Sequence, residues 1–324
     1  MSRGILQRLA DGVVLGDGGY VLELEKRGYV QAGPFTPEVC IEHPEAVEQL
    51  HAEFIHAGAE VIQALAFYAS EEKLATIGLS DKWEEINRAA VRLARKTAAP
   101  HDVLVAGDLC TTWVYNPASA GSANRVRELI DRQIEVQLDE GVDFFIAESF
   151  YFLGEAKIAL EQVKRTGLPV IVTMLAQPAS QDGFSSLECA RQLADSGADA
   201  VGLNCLRNPA NVLPMMREIR EAVSCYVACQ AAGYRTPDHI PDFTAIPEFP
   251  HSMDGLQLCR QDMGDYARQA QEMGIRYIGS CCGSVASHVR EMARALGKMP
   301  AQERNWKSRG KAMSAYEHHH STQA

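Results

Sequence analysis

One pattern of apolar and polar positions recurs along the chain. A helical stretch ends at a glycine, two or three residues follow, and a short run begins that is apolar on both faces. Glycine suits the left-handed position after a helix, and a run without polar alternation is typical of a buried parallel strand. The copies are HAGAEVIQALAF, DEGVDFFIAES, DSGADAVGLNC, EMGIRYIGSCC and the weaker RTGLPVIVTM, with Gly58, Gly141, Gly197, Gly274 and Gly167. The pattern predicts repeated units in which a helix leads into a parallel strand.

Eight apolar runs of this kind occur in the sequence. They are GVVLGD near Val13, EVIQALAF near Val61, VLVAGD near Val103, DFFIAES near Phe144, PVIVTM near Val170, AVGLNC near Val201, CYVACQ near Tyr226 and RYIGSCC near Tyr277. Helical segments separate most of them, and one carries Val47, Leu50 and Phe54 at helical spacing. Eight strands alternating with helices predict an α/β fold, a single (βα)8 barrel of the TIM type over residues 1–300. A doubly wound open sheet is the alternative.

The C-terminal composition, the net charge and the cysteines indicate which partners and which location to expect for the protein. Residues 301–324 are polar and aperiodic, so we expect a tail that is disordered or serves as an arm. The net charge of −11 disfavours nucleic acid as a partner, because phosphate binding needs a basic surface. The start of the chain has no signal pattern, and no run approaches the roughly 20 apolar residues of a membrane span. We expect a cytoplasmic protein with no membrane partner, whose nine cysteines are reduced thiols or metal ligands.

The predicted strand ends carry most of the reactive side chains. In such a barrel the carboxyl ends of the strands form the active face. The residues there are Asp17, Phe67, Tyr68, Asp108, Glu148, Asn204, Cys205, Gln230, Cys281 and Cys282. A proline-rich stretch between Ala231 and Gly255 follows the seventh strand, and a loop of that length is usually a functional rim or lid.

The thiols of GLNC and GSCCG form the sharpest candidate site. Cys205 ends strand six, while Cys281 and Cys282 end strand eight, so all three should meet at one mouth. Three thiolates with an open fourth position suit Zn²⁺, and such a zinc can hold a substrate thiol as thiolate. Two alternatives are simple burial of small residues and a redox pair, the latter disfavoured because a disulfide between neighbours strains the peptide. For the other six cysteines, packing alone is the expectation.

These motifs resemble the two zinc signatures of the homocysteine S-methyltransferase family. GDGGYVLELEKRGYVQAGPFTPE, HPEAVEQLHAEFIHAGAEVIQ and FYASEEKL extend the resemblance, which is to the betaine–homocysteine branch and covers roughly residues 4 to 300. The resemblance implies a (βα)8 barrel that binds zinc through Cys205, Cys281 and Cys282. It implies that Glu148 pairs with the homocysteine ammonium, with Asp17, Gly18 and Asn204 nearby. It also implies that Tyr68 lines the methyl-donor site and serves as fourth zinc ligand when substrate is absent.

The expected donor site follows from the aromatic residues. Phe67 and Tyr68, joined by Phe35, could attract an onium cation through their ring faces. The branch has Trp where this chain has Phe35, and Tyr where it has Ser149; Phe150 or Tyr151 could supply the missing ring. Glycine betaine is therefore the favoured donor, and a sulfonium such as dimethylsulfoniopropionate or S-methylmethionine is the alternative.

The expected function is zinc-dependent methyl transfer from glycine betaine to homocysteine, giving methionine and dimethylglycine. Cys205, Cys281, Cys282 and Glu148 are the expected catalytic residues. A non-catalytic zinc or thiol sensor is a rival that would need the thiols only, and hydrolytic zinc sites fit poorly because they favour His and carboxylate ligands. The sequence is compatible with a homo-oligomer, but the chain ends at Ala324, so we do not expect one built by the long C-terminal arm of the animal enzymes.

Overall fold

The computed structural model describes residues 3–298, so the predicted tail lies outside the described residues. Within that range, eight parallel strands form one sheet in the order β1-β8-β7-β6-β5-β4-β3-β2. The strands are β1 (Val14–Leu15), β2 (Val61–Gln63), β3 (Leu104–Cys110), β4 (Phe144–Phe150), β5 (Val170–Leu175), β6 (Ala200–Asn204), β7 (Tyr226–Ala231) and β8 (Tyr277–Ser280). Each corresponds to one of the eight predicted runs. The predicted (βα)8 barrel is confirmed, and the open doubly wound sheet is excluded.

Helices separate the strands and cover the outside of the barrel. In residues 3–298 they are α1 (Ile5–Asp11), α2 (Val21–Lys26), α3 (Val39–Glu42), α4 (Pro44–Ala57), α5 (Glu71–Ala75), α6 (Trp83–Ala98), α7 (Ala120–Asp139), α8 (Leu153–Lys164), α9 (Ser186–Asp195), α10 (Pro209–Ala222), α11 (Arg260–Glu272) and α12 (Ala286–Ala295). Gly58, Gly141, Gly197 and Gly274 adopt positive φ after α4, α7, α9 and α11, as the helix-ending pattern predicted. No helix of the described part is long and apolar enough to cross a membrane.

The barrel has a seam between β1 and β2, where no ladder of backbone hydrogen bonds joins the two strands. The Glu60 N–H donates to the Leu15 carbonyl at 2.8 Å, and Glu60 Oε2 accepts from the Leu15 N–H at 2.9 Å. Nearer the active face, Asp17 Oδ2 accepts from the Gln63 N–H at 2.7 Å. Two carboxylates thus complete the ring, and the seam holds Asp17 against the end of β2.

The core has three parts that leave one end of the barrel open. Apolar residues between the strands and the outer helices make the largest part. A second cluster fills the barrel interior, and Ile5 and Leu9 of α1 close its amino-terminal end. A third cluster lies over the carboxyl ends, where Tyr234 and Phe243 of the proline-rich stretch pack near Cys205. Loops therefore surround the reactive side chains at the carboxyl ends of the strands.

Candidate active site

A pocket opens at the carboxyl ends of the strands and encloses about 970 Å³, including its mouth. Nine of the ten residues expected at the site line it: Asp17, Gly18, Phe35, Phe67, Tyr68, Glu148, Cys205, Cys281 and Cys282. Asn204 is fully buried and touches the site through its hydrogen bonds to Glu148 and Ser149, which both line the pocket.

The sulfur atoms of Cys205, Cys281 and Cys282 lie within 4.8 Å of one another. The Sγ atoms of Cys205 and Cys282 are 3.6 Å apart, and those of Cys281 and Cys282 are 3.9 Å apart. Four ligands placed tetrahedrally about 2.3 Å from zinc would be separated by about 3.8 Å. The donor set and its spacing therefore fit a thiolate-bound metal ion. Among residues 3–298, no other set of three or more His, Cys, Asp or Glu side chains brings its ligand atoms within 4.8 Å of one another.

The backbone of β7 sets the separation of the thiols. The Cys205 N–H donates to the Gln230 carbonyl at 2.9 Å, and the Cys281 N–H donates to the Ala231 carbonyl at 2.9 Å. Strands β6 and β8 flank β7, so these bonds fix both thiol-bearing turns to one central strand. Cys205 adopts a φ of 59°, which turns its side chain out of the strand geometry and towards the pair that follows β8.

The three thiols also share hydrogen bonds. Contacts with the Cys281 and Cys282 thiols hold the pKa of Cys205 well below the usual thiol value. The contact with Cys205 raises the pKa of Cys281 and of Cys282, and burial adds to that rise. Cys205 is therefore the sulfur that ionises first, and its charge is shared with its neighbours through hydrogen bonds.

Glu148 lies beside the thiols and is held by amide groups. Gln63 Nε2 donates to Glu148 Oε1 at 2.5 Å, and Asn204 Nδ2 donates to Glu148 Oε2 at 2.7 Å. Burial raises the pKa of Glu148 to about 8, with the Gln63 hydrogen bond opposing that rise and Cys205 adding to it. The two amide groups therefore fix the orientation of the Glu148 carboxyl group, but no positively charged side chain among the described residues balances its charge.

Asp17 and Asp108 bring two more buried carboxyl groups to the same pocket. Burial raises the pKa of Asp17 to about 6, against hydrogen bonds from Tyr20 and Gln63. Within residues 3–298 no Lys, Arg or His forms an ion pair with these two residues or with Glu148, and none lines the pocket. The pocket therefore favours binding of a positively charged group.

Aromatic side chains also line the pocket. The Phe67 and Tyr68 ring centroids are 4.0 Å apart, and Phe35 packs 6.1 Å from Phe249. Burial raises the pKa of Tyr68 far above its usual value, so its hydroxyl is neutral in this structure. Service of Tyr68 as a fourth metal ligand stays a prediction.

Sequence reasoning left open which residue replaces the ring missing at Ser149. Ser149 adopts a φ of 60°, and the register between β4 and β5 shifts between Ala147 and Phe150. This irregularity breaks the strand alternation, so Phe150 packs in the outer core while Tyr151 lines the pocket. Tyr151 is therefore the aromatic side chain that reaches the site.

Trp113 is a rim residue that sequence reasoning missed. It follows β3, is 58% exposed, and has a φ of 67°. Its ring lies 5.7 Å from Tyr68 and 6.1 Å from Tyr151, and the Lys73 ammonium lies over the Trp113 and Tyr68 rings at 4.8 and 4.6 Å. An exposed tryptophan in strained backbone is a signal that only coordinates reveal.

Comparison with known proteins agrees with this geometry. The family model described as homocysteine S-methyltransferase matches residues 14–296 of the chain. Betaine–homocysteine S-methyltransferase 1 of Rattus norvegicus is 43% identical over 307 residues, covering 91% of this chain and 75% of the relative. S-methylmethionine–homocysteine S-methyltransferase of Pongo abelii is 40% identical over 327 residues, covering 97% of this chain and 88% of the relative.

A solved structure shares the fold. The homocysteine methyltransferase MmuM of Escherichia coli, in its metallated form, superposes with a TM-score of 0.72 at 21% identity. The match covers 89% of this chain and 99% of that one. The likeness agrees with the barrel described above.

Proposed function

The chain belongs to the homocysteine S-methyltransferase family and is a methyltransferase, and from this premise we propose that it transfers a methyl group from glycine betaine to homocysteine. The products would be methionine and dimethylglycine. The observation that carries the proposal is the meeting of three thiols with uncompensated buried carboxyl groups and half-buried aromatic rings in one pocket.

The metal of the site, on this proposal, is zinc held by Cys205, Cys281 and Cys282. Three sulfur ligands within 4.8 Å of one another match the donor set of a catalytic zinc site with one position left for substrate. When bound, zinc would hold the homocysteine sulfur as a thiolate at neutral pH, where a free thiol with a pKa of about 8.5 is mostly protonated.

The carboxyl groups would bind the amino-acid end of homocysteine. Glu148 and Asp17 lie in the same pocket as the thiols and have no basic partner among the described residues. A substrate ammonium supplies the missing positive charge, and its approach favours the ionised carboxylates. Gln63, which donates to both acids, would keep them aimed at the ammonium.

The aromatic residues would hold the onium end of the donor. Phe35, Phe67, Tyr68 and Tyr151 line the pocket, and ring faces attract quaternary ammonium groups by about 0.5–2 kcal/mol each. The donor loses its positive charge when the methyl group leaves, so a cage that binds the cation weakly also releases the neutral product. The chain contributes alignment and exclusion of water, and no acid or base is needed at the methyl carbon.

A sulfonium donor is the second candidate. The Pongo abelii relative, 40% identical, is named for S-methylmethionine. Phe35 also lacks the indole N–H that could contact a donor carboxylate. The homocysteine half of the site is the same for both candidates, and only the donor would differ, with dimethylsulfoniopropionate or S-methylmethionine in place of glycine betaine.

The setting we propose is a reducing compartment such as the cytoplasm. All nine cysteines are free in the structure, including the three at the site. Disulfide formation between Cys281 and Cys282, or oxidation of Cys205, would remove the metal ligands. Retention of free thiols is therefore a condition for activity.

The test is methionine formation by zinc-loaded protein supplied with homocysteine and, in parallel, glycine betaine, dimethylsulfoniopropionate or S-methylmethionine. Turnover with glycine betaine above that with both sulfoniums supports the proposal, and turnover with a sulfonium alone supports the second candidate. Homocysteine binding without turnover on any donor would favour the thiol-sensor hypothesis. Glu148→Gln should raise the homocysteine KM and leave the donor KM unchanged, while the exposed Glu161→Gln changes neither.

A further inference from the structure

Asp108 is a buried carboxyl group to which the proposed mechanism gives no role. It lies in β3, lines the pocket, and is 1% exposed. Its Oδ1 atom has no hydrogen-bond partner among the described residues, and no ion pair involves it there. A carboxylate in that position is costly unless a cation or a proton accompanies it.

The surroundings of Asp108 carry further acidic groups and no basic one. Glu148 on β4 and Asp17, which follows β1, are its acidic neighbours; Cys110 lies on its own strand, and Tyr277 on β8 neighbours Asp17 and Glu148. Burial, and then the charge of Glu148, raise the pKa of Asp108 well above its usual value. Three neighbouring carboxyl groups buried in one pocket repel one another when ionised, so added positive charge favours their ionised forms.

Gln63 connects two of the three acids. Its N–H donates to Asp17 at 2.7 Å, and its Nε2 donates to Glu148 at 2.5 Å. Groups held by one side chain lie on one side of the pocket. An ammonium group has three N–H donors, so it can bind an acceptor beyond Asp17 and Glu148, and Asp108 is their carboxyl neighbour.

We propose that Asp108 is a third acceptor for the substrate ammonium, protonated in the empty site and ionised when the ammonium binds. The inference rests on the proposed function and identifies the recognised substrates as thiols that carry an α-ammonium group. On binding, the ammonium keeps its protons, the Asp108 carboxyl group loses its proton to solvent, and a charged hydrogen bond forms. Asp108 then acts in substrate selection and not at the reacting sulfur.

The experiment measures protons released on binding. Zinc-loaded wild type and Asp108→Asn are titrated calorimetrically in buffers of different ionisation enthalpy, with L-homocysteine and with its des-amino analogue 4-mercaptobutanoate. Asn has the shape of the protonated acid, so it should preserve the fold. We expect Asp108→Asn to release about one proton fewer with homocysteine and to bind it about tenfold more weakly, the usual loss for a charged hydrogen bond.

For 4-mercaptobutanoate, which has no ammonium, proton release and affinity should be the same in wild type and in Asp108→Asn. The matched control is Asp195→Asn, an equal loss of charge at an exposed position on α9. Zinc content and thermal midpoint verify the fold, and Asp108→Ser gives the same comparison if the first variant is unstable. Each preparation is also assayed for its donor KM.

Three results would overturn the inference: equal proton release by wild type and Asp108→Asn, equal weakening for both thiols, or a change confined to the donor KM. In each case wild type still binds homocysteine, so the proposed function stands. Failure of wild type to bind homocysteine would instead refute both.

Discussion

Gly19 lies so close to Cys281 that a Cβ atom added to Gly19 would stand 2.7 Å from the Cys281 carbonyl oxygen. The same atom would be 3.1 Å from the Cys282 Cα. The Gly19 N–H donates to the Ser284 carbonyl at 3.1 Å, just beyond the two cysteines. The loop after β1 therefore supports the turn that carries two of the three thiols, and the GDGG motif has a packing role beside any substrate contact.

Gly19→Ala should weaken zinc binding although it removes no ligand. The added methyl group must displace the Cys281–Cys282 backbone, and overpacking of this kind costs about 1–3 kcal/mol. We expect an affinity loss of about tenfold, measured by competition with a chromogenic chelator. Gly255→Ala is the control, because a Cβ there would contact nothing within 4 Å. Equal affinities in both variants would show that the turn does not depend on this contact.

Replacement of any one of Cys205, Cys281 and Cys282 by Ser should abolish zinc retention and methyl transfer together. Serine keeps the size of the side chain but is a poor zinc ligand, so the loss should exceed the 10- to 100-fold effect of removing an outer-shell partner. Metal content per chain after dialysis, and methionine formation, are the measurements. Cys259→Ser changes an exposed cysteine just before α11, and this variant should retain both zinc and activity. Full turnover by a metal-free variant would contradict the proposed mechanism.

The free protein should lose stability as the pH rises through the range in which Asp17 titrates. Burial raises the pKa of Asp17 from 3.8 to about 6, so between these values the folded state holds a proton that the unfolded state has lost. That contribution is fully present below about pH 3.8 and is lost as the pH passes 6. Relative to Asp17→Asn, wild type should lose about 2–3 kcal/mol of unfolding free energy from pH 4 to pH 7.

Urea unfolding without substrate, at several pH values, measures this difference. Asn at position 17 can still accept the Gln63 N–H, so the barrel seam is retained. Parallel stability curves for wild type and Asp17→Asn would contradict the expectation. Addition of homocysteine should reduce the difference at neutral pH, because a bound ammonium favours the ionised Asp17.

Trp113→Ala should raise the donor KM and leave the homocysteine KM unchanged. The Trp113 ring contacts Tyr68 and faces Tyr151 at the mouth, so its loss opens the aromatic rim. An exposed cation–π contact of about 0.5–2 kcal/mol corresponds to a rise of about 2- to 30-fold. The control is Leu6→Ala, which removes an exposed apolar side chain from α1 at the opposite end of the barrel. A rise in the homocysteine KM instead would place Trp113 outside the donor site.

The barrel was readable from the sequence because its signal is local. Each buried strand is a short apolar run and each helix ends at a glycine, and the eight strands appeared where the runs predicted them. The convergence of Cys205 with Cys281 and Cys282 was readable as well, because parallel strands in a barrel all end at the same face. Order along the chain thus determined the fold and the thiol cluster.

Other features depended on contacts between distant segments. The sequence could not show that Asp17 closes the seam against Gln63, or that Asp108 lacks a basic partner, because those facts depend on what the neighbouring strands present. It also could not choose between Phe150 and Tyr151. Strict alternation would direct Phe150 to the same face as Glu148, and the irregularity at Ser149 reverses the outcome.

The sequence by itself determined the barrel, the three thiols and the family, since these follow from the order and type of residues along the chain. Tertiary structure alone decided which side chains complete the site. Trp113 and Ser149 lie in strained backbone that packing must maintain, and the charge state of Glu148 follows from its burial by other strands. Strain and desolvation are properties of the assembled surroundings, and no single stretch of chain encodes them.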